Sequence, residues 1–516
     1  MRRSDRKTAG ASIDLSRIPL DDRDVYEEIQ RGDTVGDFQI ESRAQMQSLL
    51  RTRPENLDDL TVQVALVRPG PIQGKAVHPY IAHRERLRHD PDFVPPVDHP
   101  SLAEPLTYTL GVVVFQDQVL DVAMAMAGFS VGEAEGLRRA MSRKRSHDAL
   151  EGYRARFVAG AIARGADDEK ANLVYDKLVG FSGFGFPKSH AAAFALLAYQ
   201  SAWLRHHYPG EFLCALLNAQ PMGFYPPATL VRDGQRRGVE TRPPDVNLSA
   251  AKCELEDGAV RIGLSYITSV GDDDAETVVA ERVRGGQFKT IRELAQRASL
   301  GRGGLEALVE SGACDSFGLK RRELLWQLGL VPRSTSVPGS GGDERQLALP
   351  LDPTTATPEL PVPTVWEQML ADYRTTNLSV GIHPLELLRP RLPESVLSSR
   401  ELADVQHGRR VAVAGMVVAR QRPSTANGVV FILLEDEFGA FNLIVPPPVY
   451  DRFRAIVRGE PLLLARGKFE RHDRNENLLV TELETLGPLA REQAERADVH
   501  GSLPGAHHFG HGRGRR

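Results

Sequence analysis

Between Gly36 and about Asp245, apolar residues recur at the spacing of amphipathic helices. The spacing predicts helices over 116–127, 131–144, 146–164, 167–180, 190–206 and 209–219, separated by loops rich in glycine and proline. One run breaks the pattern: YTLGVVVFQDQV (108–119) has a continuous β-branched stretch, which predicts a buried strand-like segment. Upstream, ASIDLSRIPLDDRDVYEEIQRGDTV (11–35) reads as a strand or loop and then a helix, with PLDD supplying turn and cap residues. From 246 to 330 the texture changes to short strand-like pieces followed by small helices. Residues 331–364 are rich in Pro, Ser, Thr and Gly and read as a linker, and a helical piece follows at 365–376.

From about residue 408 the apolar period becomes two. RRVAVAGMVVARQR, GVVFILLEDE, GAFNLIVP, a helical PVYDRFRAIV, EPLLLARGKFERHD and ENLLVTELETL spell β-β-β-α-β-β. That order and those lengths match the oligonucleotide-binding (OB) barrel, a five-stranded Greek key with a helix between its third and fourth strands. The last 25 or so residues, ending HHFGHGRGRR, are polar and Gly-rich and read as a disordered tail (491–516), with His507, His508 and His511 weighed and set aside as metal ligands.

At 516 residues the chain exceeds one ordinary core. Its 41% hydrophobic and 26% charged residues are the balance of a soluble globular protein. No apolar run reaches the length of a membrane span, and MRRSDRKTAG lacks the apolar core of a signal peptide. Cys214, Cys253 and Cys314 are far apart and odd in number, which fits reduced thiols in a cytoplasm and no zinc cluster. The net charge of −4 does not exclude nucleic acid, because cations cluster locally.

Several clusters carry candidate chemistry. In FSGFGFPKSHAAAFALLAYQSAWLRHHYPGEF (181–212), Ser189 is placed to cap a helix starting at His190, whose body is apolar nearly all round and so expected to be buried. An open helix N-terminus beside Lys188 makes an anion site, and a phosphate is the obvious guest; the plainer reading is a capped core helix with Lys188 in solvent. GEAEGLRRAMSRKR (132–145) gathers Arg138, Arg139, Arg143, Lys144 and Arg145, a face suited to a triphosphate or a nucleic-acid backbone, or else simply solvated. RPGPIQG (68–74) is a turn headed by Arg68. IGLSYITSVGDDDAETVVAER (262–282) has the layout of a helix-hairpin-helix with Gly271 at its turn. There Asp272, Asp273 and Asp274 cap the second helix well but repel a DNA phosphate, so a structural role competes with DNA contact. RQLALPL offers Gln346, Leu347 and Leu349 as an extended docking peptide or an accidental apolar patch. Walker, zincin and nucleophile-elbow motifs are absent from the sequence.

In order along the chain, IDLSRIPLDD, DFQIESRAQMQSLL, ALVRPGPIQG, YTLGVVVFQDQV, GLRRAM and FSGFGFPKSHAAAFALLAYQSAWL resemble the bacterial C-family DNA polymerases, the alpha subunit of DNA polymerase III. LLNAQPMGFYPPATLVRD and DVNLS are similar to the error-prone, damage-tolerant branch. The resemblance implies a multidomain α+β architecture. Its parts are a palm remnant and extension (1–35), a mostly helical fingers domain (36–245), a helix-hairpin-helix-containing domain (246–330), a linker with a clamp-peptide-like motif (331–365), a connecting helical segment (366–407) and a carboxy-terminal OB barrel (408–490). It implies nucleotide-binding roles for Arg138, Arg139, Lys188, Ser189 and His190, with His190 near the sugar. DNA-contact candidates are Arg68, Arg143, Lys144, Arg145 and Gly271. Implied partners are primer-template and single-stranded DNA, deoxynucleoside triphosphates, other translesion proteins and, through Gln346, Leu347 and Leu349, a sliding clamp held weakly because Pro350 replaces an aromatic.

The family's two Mg²⁺ ions are held by palm aspartates without counterpart in this sequence, and the PHP domain is missing too. The expectation is therefore a carboxy-terminal fragment of an error-prone polymerase that binds DNA and nucleotide and does not polymerise alone. Two other readings stand beside it: a split-polymerase subunit needing a separate palm chain, and a non-catalytic single-stranded-DNA-binding accessory protein.

Overall fold

The computed structural model describes residues 13–68, 77–142, 147–180, 186–223, 225–331, 358–423, 426–472, 475–496 and 507–509. The chain divides into two units, Met1–His207 and Tyr208–Arg516.

In the first unit Asp22 caps helix α1 (Arg23–Gln30) by accepting the amides of Asp24 and Val25, as the PLDD turn predicts. Helices α2 (Arg43–Thr52), α3 (Leu57–Leu66), α4 (Val77–His89), α5 (Asp117–Ala127), α6 (Val131–Ser142), α7 (His147–Ala163), α8 (Asp168–Gly180) and α9 (Lys188–His207) follow. These ends lie within two residues of the predicted ones for α5 to α9. Helix α3 is buried from Leu60 to Leu66 and packs along α9, where Ala195, Ala198 and Ala202 sit in the same core as Val25 and Ile29 of α1. Small residues at this spacing let two helices approach closely. Tyr199 ties α9 to the chain before α1: its hydroxyl donates to Pro19 O at 2.8 Å and accepts from Asp22 N at 3.1 Å. Arg205, 2% exposed, is paired with Asp33 and Asp37.

Two expectations change here. Helix α9 is buried on one face only, since Ala193 and Leu197 are exposed. Its apolar character all round reflects alanine content more than full enclosure. The run 108–119 is buried at Val114 and Phe115 but forms no strand. The Gln118 side chain takes the place of a partner strand, accepting the amides of Val114 (2.8 Å) and Phe115 (3.0 Å) and donating to Thr109 Oγ1 at 2.7 Å.

The second unit begins with α10 (Pro209–Asn218) and α11 (Pro227–Arg236). These helices belong to the second unit, whereas α9 closes the first. Helix α10 packs on a small sheet, ordered β1-β3-β2, of β1 (Thr241–Arg242), β2 (Glu254–Glu256) and β3 (Ala259–Arg261). Next come α12 (Asp272–Gly285), α13 (Ile291–Ala298), α14 (Arg302–Glu310) and α15 (Arg321–Gly329) around a core including Leu264, Val278, Leu294 and Leu308. Helices α16 (Val365–Thr376) and α17 (Pro384–Leu388) and strand β4 (Val396–Leu397) lead to the barrel.

The barrel strands are β5 (Arg410–Gln421), β6 (Val430–Glu435), β7 (Ala440–Val445), β8 (Leu462–His472) and β9 (Asn475–Thr485), with α18 (Pro447–Arg452) and α19 (Arg454–Gly459) between β7 and β8. The order β5-β6-β7-β9-β8 closes by β5–β8 pairing. All pairs are antiparallel except β7–β9, which is parallel. This five-stranded closed barrel is the OB topology expected from the period-two text. A bulge at Val417/Ala419 bends β5 so that its first half pairs with β8 and its second with β6. The expected disordered tail is corrected in part. Gly487–Arg496 forms helix α20, and His507–Phe509 forms strand β10, parallel to Ala419–Gln421. Backbone pairing to a strand edge needs no apolar side chains, which is why polarity misled.

Candidate nucleotide and DNA interface

In the first unit Arg68 and His190 meet the Phe186 ring at the start of α9, and Lys188 lies over Tyr108. Arg68 lies over the Phe186 ring at 4.7 Å and donates from Nη2 to Gln39 Oε1 at 2.8 Å. Its Nε is buried without a hydrogen-bond partner, and burial lowers the pKa of the guanidinium. Phe186 and Phe194 set their edges against the exposed His190 imidazole at 4.8 and 4.3 Å, and Phe38 lies against Phe194 at 5.3 Å. His190 is thus held by rings one helical turn before and after it. Lys188 Nζ sits 3.6 Å from the centre of the Tyr108 ring, and the Tyr108 hydroxyl donates to Asp58. Burial and Asp58 push that phenol well above the usual range.

The helix start differs from expectation. Ser189 lies inside the first turn, because the Ala191 amide already donates to Pro187 O at 2.9 Å. The Lys188 amide donates to Asp117 Oδ2 at 2.7 Å, so a carboxylate already faces the end where a phosphate was expected. Asp121, one turn along α5, has its pKa raised by burial and then by Asp117, with Lys188 pulling the other way. Arg138 and Arg139 are not bare cations. Both donate to Glu135 on their own helix, at 2.6 and 2.9 Å, and together they hold its carboxyl down to about 2. Arg139 remains 70% exposed and Arg138 30%. Arg143, Lys144, Arg145, Gln346, Leu347 and Leu349 lie outside the described residues.

No group of three or more His, Cys, Asp and Glu among the described residues is placed to hold a metal. Asp117, already capping α9, and Asp121 do not fit the Mg²⁺ pair that the resemblance implies.

In the second unit Gly271 precedes α12 as expected, but with φ −74°, and it is Ser269 that takes a left-handed φ of +68°. The helix expected before the turn is a short 3₁₀ segment, Leu264–Tyr266. Asp272 pairs with Lys252 at 2.6 Å, which lowers its pKa. A second hairpin, missed in the sequence, joins α13 to α14 through Ser299, Leu300 and Gly301. No side chain caps α14, and added Cβ atoms at Gly301 and Gly303 would meet nothing within 4 Å. Its amides are open to a phosphate without a competing acid in the first turn. On the barrel, Phe438 is 40% exposed in the β6–β7 turn with Arg400 over it at 4.2 Å, a surface on which a base can stack. The FG dipeptide of that turn was its sequence signal.

Comparison with known proteins decides the lineage. A model of the bacterial DNA polymerase III alpha subunit finger domain matches residues 2–165, starting inside the stretch expected to be palm, and a helix-hairpin-helix model matches residues 238–324. Over 502 residues the chain is 43% identical to the error-prone DNA polymerase of Anaeromyxobacter sp. (strain K), an alignment covering 94% of this chain and 43% of that protein. The chain belongs to the bacterial C-family DNA polymerases, in their error-prone branch. Error-prone DNA polymerases of Burkholderia pseudomallei (strain K96243) and Mycobacterium tuberculosis (strain H37Rv) are 43% and 44% identical, over 93% and 89% of this chain and 45% and 41% of their own lengths. The chain therefore spans less than half the length of these C-family relatives. None of its described helices is long and apolar enough to cross a membrane.

Proposed function

We propose that this chain supplies the nucleotide- and DNA-binding part of an error-prone DNA polymerase that copies damaged templates in the cytoplasm. The observation that carries the reading is Arg68 and His190 on the Phe186 ring at the start of α9, where Lys188 lies over Tyr108, in a chain aligned with error-prone polymerases over nearly its whole length. Arg68 and Lys188 attract the triphosphate, His190 and its flanking rings meet the sugar, and Arg138 and Arg139 exchange Glu135 for phosphate oxygens. The α13–α14 hairpin and the barrel face with Phe438 track the DNA backbone and unstacked bases. Gln346, Leu347 and Leu349 add a weak clamp contact. Extension itself needs Mg²⁺ and carboxylates that a palm supplies, so the chain does not polymerise by itself.

Primer extension with Mg²⁺ and four deoxynucleotides, beside binding of a deoxynucleoside triphosphate to the chain on primer-template, tests both halves. The expected result is triphosphate binding weakened roughly tenfold by Lys188→Ala, with no extension. Robust extension by the chain alone overturns the second half, and binding indifferent to Lys188→Ala and Arg68→Ala overturns the first. The OB barrel also supports a non-catalytic reading, single-stranded-DNA binding alone. Strand binding that falls steeply with salt, in a chain that binds no triphosphate, selects it.

A further inference from the structure

Residues 37–40 of the first unit make a turn closed by the Ile40 amide, which donates to Asp37 O at 3.3 Å. Its third residue, Gln39, takes φ +64°, while Phe38 before it stays out of the left-handed region. A turn with its third residue left-handed favours glycine, and a larger side chain there is strained. Both ends of the turn are fixed from outside. Buried Asp37 pairs with Arg205 of α9 at 3.2 Å, Thr34 Oγ1 donates to Ile40 O at 2.7 Å, and the Ile40 side chain is fully buried. Strained residues held in this way cluster where a side chain has a task.

Among the described residues the Gln39 side chain makes one hydrogen bond: Oε1 accepts from Arg68 Nη2 at 2.8 Å. Arg68 lies over the Phe186 ring, whose edge meets His190. The same turn sets Phe38 against Phe194, with 5.3 Å between ring centres, so it reaches both rings that flank His190. Arg84, Arg138 and Arg205 of this unit are each paired with Asp or Glu. Among the described residues no carboxylate pairs with Arg68, and burial lowers its pKa without an acid to oppose the shift. A guanidinium has donors only, so its plane is fixed by whichever oxygen accepts from it. A carboxylate in that place takes up the positive charge, whereas an amide oxygen leaves it for an anion.

We propose that Gln39 is a positioning residue of the nucleotide site: its neutral amide fixes Arg68 against Phe186 and leaves the cation uncompensated for the triphosphate. The inference rests on the reading of Arg68 given above and adds that the residue at 39 must accept a hydrogen bond without carrying a charge.

The test combines thermal melts with calorimetric titration of a deoxynucleoside triphosphate into the full chain on primer-template. Gln39→Glu gives Arg68 an ordinary ion pair. It is expected to melt at the wild-type temperature or higher and to bind the triphosphate about tenfold more weakly, the deficit shrinking as salt rises. Gln39→Gly relieves the turn and removes the acceptor, so it is expected to melt no lower than wild type and to bind about fivefold more weakly. In an Arg68→Ala background Gln39→Gly should change binding by less than about twofold, because the two side chains act as one unit. Weaker binding in Arg68→Ala, with both Gln39 variants binding as wild type, overturns the inference and leaves the site reading intact. An equal effect of Gln39→Gly with and without Arg68 overturns it too, as does binding that falls only in step with the melting temperature. Equal binding by wild type and Arg68→Ala removes Arg68 from the site reading, and the role of Gln39 falls with it.

Discussion

Asp117 Oδ2 accepts the backbone N–H of Lys188 at 2.7 Å across 71 residues of chain. A carboxylate from α5 thus meets the positive end of α9. It stabilises the helix, and under the function proposed above it also stands where the triphosphate would approach.

Replacing Asp117 therefore moves two quantities in opposite directions. Asp117→Ala is expected to cost about 1 kcal/mol of stability through the lost cap, and Asp117→Asn less. Both remove a negative charge close to Lys188, and both are expected to strengthen triphosphate binding by roughly fivefold. Denaturant melts and equilibrium binding at low salt check the two effects. Loss of stability together with weaker binding would show that Asp117 orients the site rather than screening it.

Ser269 holds φ +68° in the first hairpin, a region where a side chain costs about 1–2 kcal/mol relative to glycine. Glycine regains this strain but adds about 0.5–1 kcal/mol of freedom to the unfolded chain. Ser269→Gly is expected to be neutral or stabilising by less than about 1 kcal/mol, and Ser269→Val, stiff at its β-carbon, clearly destabilising. Thermal melts of the two variants decide the sign.

These cases show which features the sequence makes legible. Helices α5 to α9 and the barrel strands could be read because period and length are local properties. The KSH triplet was found because cations beside a helix start stand out in one dimension. What could not be read was supplied from a distance in the chain. The cap of α9 comes from Asp117, and the support of Arg68 from Gln39 and Phe186. Glu135 was within reach, since acids at i−3 and i−4 of Arg138 and Arg139 predict helical pairing. The second hairpin escaped because SLG at its turn lacks the acidic cap that made the first conspicuous.

Gly467 sits at a bulge in β8, where an added Cβ would lie 2.2 Å from the Leu479 carbonyl oxygen. That contact is with backbone and cannot be relieved by a rotamer change. Gly467→Ala is expected to destabilise the barrel by about 1–3 kcal/mol, the usual cost of overpacking. Denaturant titration measures the loss, and single-strand binding should weaken in parallel as the barrel opens.

Asp372 is raised from 3.8 to about 6, chiefly by burial, with Arg321 at 3.1 Å pulling it back. A carboxyl whose folded value lies above its unfolded one stabilises fully below the unfolded value. It loses that contribution as pH rises through the folded one. Between pH 3.8 and about 6 the wild type is therefore expected to lose about 3 kcal/mol that Asp372→Asn does not. The difference in melting temperature between the two should shift in favour of Asn across that window and level off above it. A difference independent of pH would mean that Asp372 stays ionised throughout.

The short strand β10 runs beside Ala419–Gln421, and β6 occupies the other side of the same three residues. At these positions both sides of β5 are already taken by the molecule's own backbone. An uncovered strand edge is a template on which a second molecule can build. His507–Phe509 occupies that template with three residues, which closes this stretch of β5 to a strand from a neighbouring barrel.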